Sequence, residues 1–103
     1  MTGAGSPTEC WGGRPVARRI VDAAPRRRAV VTGTVVGVEV RRWRQVPSYT
    51  AQLDDGTGRL TLVFTGARPV PGMVEGARCT VEATVLADGG ELVVWNPLYR
   101  FEP

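Results

Sequence analysis

The sequence contains no histidine and no lysine, and its only cysteines are Cys10 and Cys79. Histidine and lysine supply many general bases, and histidine many metal ligands, so we predict a non-enzymatic protein with no metal and no cofactor. Two cysteines cannot form a disulfide framework. We expect Cys79 to be a small buried side chain and Cys10 to be a thiol in a loose segment.

Long apolar segments are also missing, since none approaches the roughly 20 residues that a membrane-spanning helix needs. The first ten residues lack the basic and then apolar order of a signal peptide. Of the 103 residues, 43% are hydrophobic and 22% are charged, which is ordinary for one soluble globular domain. We therefore expect a cytoplasmic protein with no membrane partner.

All thirteen basic residues are arginines, and with ten acidic residues they give a net charge of +3. The excess lies near the N-terminus, because residues 1–28 carry +4 and residues 29–103 carry −1. A basic segment suggests an anionic partner, and arginine contacts phosphate in a bidentate manner and stacks on bases. A GC-rich genome is the alternative, and favoured, explanation for the use of arginine alone.

A turn sequence, Asp54-Asp55-Gly56-Thr57-Gly58, lies between segments 48–53 and 59–65, in which apolar and polar residues alternate. This pattern is typical of a β-hairpin with one buried face, and the glycines permit positive φ angles in a tight turn. We interpret the two carboxylates as part of the turn rather than as a catalytic pair. The residues predicted to face the core are Tyr49, Ala51, Leu53, Leu60, Leu62 and Phe64. The predicted outer face carries Ser48, Thr50, Gln52, Arg59, Thr61 and Val63.

The remaining segments also indicate strands. Segment 29–42 is rich in β-branched residues but contains Gly33 and Gly37, which predicts a long strand with a sharp bend. Asp88-Gly89-Gly90 joins two shorter strands, and the Pro-rich segment 66–77 has room for one helical turn. We predict an all-β fold, a five-stranded Greek-key barrel of the OB type, with an SH3-like barrel as the alternative.

The residues before this barrel divide into two parts. Residues 1–13 are rich in Gly, Ser, Pro and Thr, so we predict a disordered leader there. Residues 14–28 are predicted to form a short amphipathic helix from Pro15 to Ala24, which Pro25 ends, and then a basic arm at Arg26–Arg28. The OB-fold domain then covers residues 29–103.

Several short motifs resemble those of a known family over about residues 30–101. They are Val31-Thr32-Gly33-Thr34-Val35, the hairpin from Leu53 to Phe64, Glu75-Gly76, and Asn96-Pro97 with Tyr99. They are similar to the OB-fold nucleic-acid-binding family, in particular to the wedge domain of RecG-type branched-DNA helicases and to small stand-alone actinobacterial OB-fold proteins. The resemblance implies binding of single-stranded or branched DNA. We hypothesise an accessory role in DNA repair or recombination, beside a DNA-processing protein, because the sequence contains no Walker loop.

In OB folds, nucleic acid lies across the outer face of strands two and three, between two flanking loops. The first loop is predicted at Arg41, Arg42, Trp43, Arg44 and Gln45, where the indole would stack on a base and the arginines would neutralise phosphates. On the outer face we expect contacts from Thr50, Gln52, Arg59 and Thr61, bordered by Arg68. The alternative is that Trp43 folds back as a lid and the arginines are solvated. The sequence does not distinguish DNA from RNA.

Other charged and aromatic residues bear on this hypothesis. Asp88 and Glu91, at the second flanking loop, would repel phosphate, so we expect modest and salt-dependent binding. Arg26–Arg28 would share a groove with Arg41–Arg44 only if the long strand curls strongly, and we interpret it as an auxiliary arm. Trp95 and Tyr99 are expected to pack in the core. The alternative function is a protein-interaction module that uses the barrel face or an edge strand.

Overall fold

The structure, a computed structural model, describes residues 16–103. In this part of the chain one sheet of eight strands is accompanied by a single 3₁₀ turn at Ile20–Asp22, which confirms the all-β prediction. The strands are β1 (Val16–Ala17), β2 (Arg28–Trp43), β3 (Val46–Asp54), β4 (Arg59–Thr65), β5 (Arg78–Thr84), β6 (Leu86–Asp88), β7 (Glu91–Trp95) and β8 (Leu98–Phe101).

The strand order in the sheet is β6-β7-β4-β3-β2-β5-β8, and β1 pairs with β2 in parallel. Strands β4 and β7 are parallel, whereas β2 is antiparallel to both β3 and β5. The structure therefore has more strands than the five predicted, and their hydrogen-bonded order is open instead of closed. The reason is that β8 pairs with the edge of β5 that a closed barrel would use.

The long strand β2 bends as its glycines predict. Its register against β3 shifts between Val35 and Gly37, which is the signature of a β-bulge. Gly33 lies where β2 passes close to the end of β3, because a Cβ atom there would be 2.7 Å from the carbonyl oxygen of Asp54. The bend lets β2 pair with β5 through its first half and with β3 through its second half.

The hydrophobic core lies between the two halves of the curved sheet. All six residues that the alternating pattern assigns to the core are buried, which confirms that prediction. Ile20, Met73 and Cys79 join the same cluster from outside the central hairpin, as do buried residues of β2, β5 and β7. Burial raises the pKa of the Cys79 thiol, so this side chain is a packing residue, as predicted.

The predicted N-terminal helix is wrong. Val16–Ala17 is extended and pairs with Ala29 and Val30 of β2, and only the short 3₁₀ turn follows it. The turn is held by the side chain of Asp55, which accepts a hydrogen bond of 2.8 Å from the backbone N–H of Ile20. Pro15 and the predicted disordered leader, residues 1–13, lie outside the described residues, as does Cys10.

The Pro-rich connection between β4 and β5 is predicted to have room for one helical turn. The segment contains turns, a bend and an isolated bridge between Ser48 and Gly66 but no helix, in agreement with its proline content. Within residues 16–103, no helix is long and apolar enough to cross a membrane.

Candidate nucleic-acid interface

The predicted first loop is mostly strand. Strand β2 continues to Trp43, and only Arg44 and Gln45 form the turn before β3. Both turn residues have positive φ angles, 49° and 68°, as a type I′ hairpin turn requires. The predicted loop, Arg41–Gln45, is therefore wrong for Arg41–Trp43, and the arginines lie on a β-hairpin tip.

Trp43 is buried, with 8% of its surface exposed, so the prediction of an exposed stacking side chain is wrong. Its ring packs with Val63 and Val93, on the face of the sheet opposite the main core. Its indole N–H donates a hydrogen bond of 3.0 Å to the carboxylate of Asp88. The structure thus has the alternative arrangement, in which Trp43 covers an apolar patch.

Arg41 and Arg44 are paired with carboxylates of the β6–β7 hairpin. The Arg41 guanidinium lies 4.3 Å from the centre of the Trp43 ring, and it is 3.6 Å from the carboxylate of Glu91. Arg44 Nε donates to Asp88 at 2.9 Å. The hydrogen bonds from Arg44 and then from Trp43 lower the pKa of Asp88, so this carboxyl group is ionised at neutral pH. The acidic hairpin therefore holds the basic tip in place.

The predicted binding face is closed by its own side chains. Thr50 and Thr61 are buried, and the hydroxyl of Thr50 donates to the Glu39 carbonyl oxygen at 3.0 Å. The amide of Gln52 donates to the hydroxyl oxygen of Thr61 at 2.9 Å, and that hydroxyl donates to Glu91 at 3.0 Å. These three side chains are therefore satisfied within the sheet. A cavity of about 110 Å³ lies beside Thr50 and Gln52, but it is lined by β2 and β3 and by no residue of β4.

The remaining predicted arginines are dispersed. Arg42 is exposed and lies within 3.4 Å of the Gln45 carbonyl oxygen. Arg59 forms an ion pair of 3.1 Å with Asp54 at the far hairpin, and Arg68 is exposed in the connection between β4 and β5. Arg42 therefore lies at the same hairpin tip as Arg44, whereas Arg59 lies at the opposite hairpin.

A different concave region lies beside the hairpin tip, and we call it the Trp95 groove. It comprises two cavities, of about 470 and 460 Å³, that share Leu86 and the half-buried Trp95 in their walls. The first is also lined by Pro25, Arg26, Arg44, Ala87 and Asp88. The second is also lined by Arg28, Glu82, Ala83, Thr84, Asn96 and Leu98.

The sequence interpretation missed this groove for two reasons. It expected Arg26–Arg28 to share a groove with Arg41–Arg44 only if the long strand curls strongly, and Arg26 and Arg44 do line one cavity. It also assigned Trp95 to the core, whereas the ring is only partly buried against the Trp43 cluster. The two glycines in β2 were the available signal, because they predict a sharp bend.

No family model and no curated protein sequence matches this chain. Among residues 16–103 there is also no group of three or more His, Cys, Asp or Glu side chains that could hold a metal ion.

Proposed function

We propose that this protein is a non-catalytic nucleic-acid-binding protein of the OB type whose ligand is single-stranded or branched DNA. Its sheet supports the OB assignment, because β2, β3 and β4 form a meander, β5 returns to pair with β2, and β7 lies parallel to β4. In OB folds the loop after the first strand and the loop before the last strand flank the nucleic-acid site. The corresponding elements here are the β2–β3 tip and the β6–β7 hairpin.

The contact between these two elements is the main support for the proposal. The side chain of Asp88 joins them by accepting hydrogen bonds from both Trp43 and Arg44. This contact places Arg41, Arg42 and Arg44 at one end of the sheet, next to the Trp95 groove. A rigid basic tip beside a partly exposed indole provides the charge and the aromatic surface with which single strands are bound.

We expect salt-sensitive binding of single-stranded or forked DNA, weakened by about tenfold or more when Arg41, Arg42 and Arg44 are all changed to Ala. Loss of three phosphate contacts should also flatten the dependence of affinity on salt. Fluorescence anisotropy with labelled single-stranded, duplex and forked DNA at two salt concentrations measures both effects. Arg100→Ala on β8 is the control for loss of charge, and the circular dichroism melting curve of each variant reports its folding.

Equal binding by the triple variant and the parent would remove the tip from the proposed site. No binding by the parent at low salt would contradict the proposed function itself.

A second candidate function, a protein-interaction module, is favoured by strand β8. This edge strand has exposed large apolar side chains at Leu98 (63%), Tyr99 (41%) and Phe101 (38%). Exposed apolar edge strands favour pairing with another chain. Sedimentation velocity over a range of concentrations would show reversible self-association that Leu98→Arg abolishes. A monomer at every concentration would count against strand addition by a second copy of the chain.

A further inference from the structure

We infer that the Trp95 groove holds consecutive nucleotides of a single strand, with a base on the Trp95 ring and a phosphate between Arg26 and Arg44. This inference rests on the proposed function and names the side chains that perform it. The groove lies next to the closed outer face and uses a different indole from the one that the sequence suggested.

The backbone at Arg26 is the first support for this site. The N–H of Arg27 donates to the carbonyl oxygen of Ala24 at 3.2 Å, which closes a turn with Pro25 second and Arg26 third. Arg26 has a φ of 68°, and the third position of such a type II turn strongly favours glycine. Hydrogen bonds between this turn and Val85 fix Arg26 at the rim of the groove.

Arg44 lines the same cavity and also has a positive φ angle. Arg44 is the first of the two central residues of the β2–β3 turn, and its φ is 49°. Asn, Asp or Gly is preferred at this position. The described residues contain four non-glycine residues with positive φ, and three of them, Arg26, Arg44 and Asn96, line this groove. Residues with such unfavourable φ angles cluster at functional sites. The conformations of Arg26 and Arg44 therefore support a functional role for their side chains.

The size and charge of the groove favour a single nucleic-acid strand over an isolated small molecule as its ligand. Each cavity is within the range of about 300–1,000 Å³ that ligand sites occupy, and both are lined by Leu86 and Trp95. Arg44 is paired with Asp88, and Arg28 is paired with Glu82 at 3.3 Å. Arg26 is therefore the cation of the groove that no carboxylate in the described residues neutralises. One net positive charge beside an indole suits a chain of stacked bases held by several weak contacts.

Replacing Arg26 with glycine separates binding from folding. Arg26→Gly relieves the unfavourable φ, so its melting temperature should equal or exceed that of the parent, while its affinity for a labelled single-stranded oligonucleotide falls about fivefold or more. Gln45→Gly is the matched control, because it relieves the same kind of strain without removing a charge. It should also melt no lower than the parent, and it should bind as the parent does.

The indole is tested in the same titration. Trp95→Leu should lose about tenfold in affinity, whereas Trp95→Phe, which keeps an aromatic ring, should lose much less. A free mononucleotide should not compete with the oligonucleotide at concentrations where unlabelled oligonucleotide does. The inference is overturned if the parent binds DNA and both Arg26→Gly and Trp95→Leu bind equally well, although the proposed function would then stand. Equal competition by the mononucleotide would also overturn it, and failure of the parent to bind would overturn both.

Discussion

Leu62→Ala is expected to lower the free energy of unfolding by about 2–5 kcal/mol. Leu62 is completely buried in β4, between Ala51 on β3 and Val94 on β7, at the centre of the main core. Truncating its isobutyl side chain to a methyl group loses part of the free energy of burial and leaves a cavity that three hydrogen-bonded strands cannot collapse to fill. For a domain of this size such a loss is a large part of the total stability.

The measurement is urea denaturation followed by circular dichroism, with Leu98→Ala as the control. Leu98 is the same residue type in a strand but is mostly exposed, so its truncation should cost much less. Equal losses for the two variants would contradict the account of the core. If Leu62→Ala is unfolded even without urea, Leu62→Val measures the same cost with fewer atoms removed.

Asp55→Ala is expected to cost about 2–3 kcal/mol, because its carboxylate is the hydrogen-bond acceptor for the β3–β4 turn and for the N-terminal segment. The Oδ1 atom accepts from the N–H groups of Thr57 and Gly58 and from the Thr57 hydroxyl, while Oδ2 accepts from Ile20 N–H. The substitution frees Ile20 and its buried side chain from the hairpin. Urea denaturation measures the loss, and Asp22→Ala, which removes one exposed ion pair, is the control.

The pH dependence of this variant gives an independent check. Burial alone would raise the pKa of Asp55, but the Thr57 hydroxyl and the N–H groups of Ile20, Thr57 and Gly58 lower it overall. A lowered pKa in the folded state stabilises the protein at neutral pH, and the stabilisation is lost as the pH falls through that pKa. The difference in stability between parent and variant should therefore shrink below about pH 4. A difference that stays constant down to the acid transition would contradict this role.

The central hairpin could be predicted from sequence because its signal is local. Alternation and turn glycines depend only on neighbouring residues, and they assigned the inward side chains of β3 and β4 correctly. The N-terminal segment could not be predicted in this way. The segment pairs with β2 and forms a hydrogen bond with Asp55, both of which are contacts between residues far apart in the sequence. These contacts override a weak helical pattern.

Trp43 illustrates why the candidate site was harder to predict than the fold. A tryptophan among three arginines suggests exposure, but the ring covers Val63 and Val93 on the outer side of the sheet. The signal that could have revealed this was Val63 itself, an apolar residue on a face predicted to be polar. An apolar patch there needs a cover, and the bent β2 supplies one.

The most direct test of the central claim is an NMR titration of the isotope-labelled protein with a short single-stranded DNA oligonucleotide. We expect the indole N–H of Trp95 and the amides of Arg26, Leu86 and Ala87 to shift most. The amides of Gly56–Gly58 in the β3–β4 turn, at the other end of β3, should stay unchanged. An absence of shifts at low salt, or shifts confined to the β3–β4 turn, would contradict the claim that the groove end of the sheet binds nucleic acid.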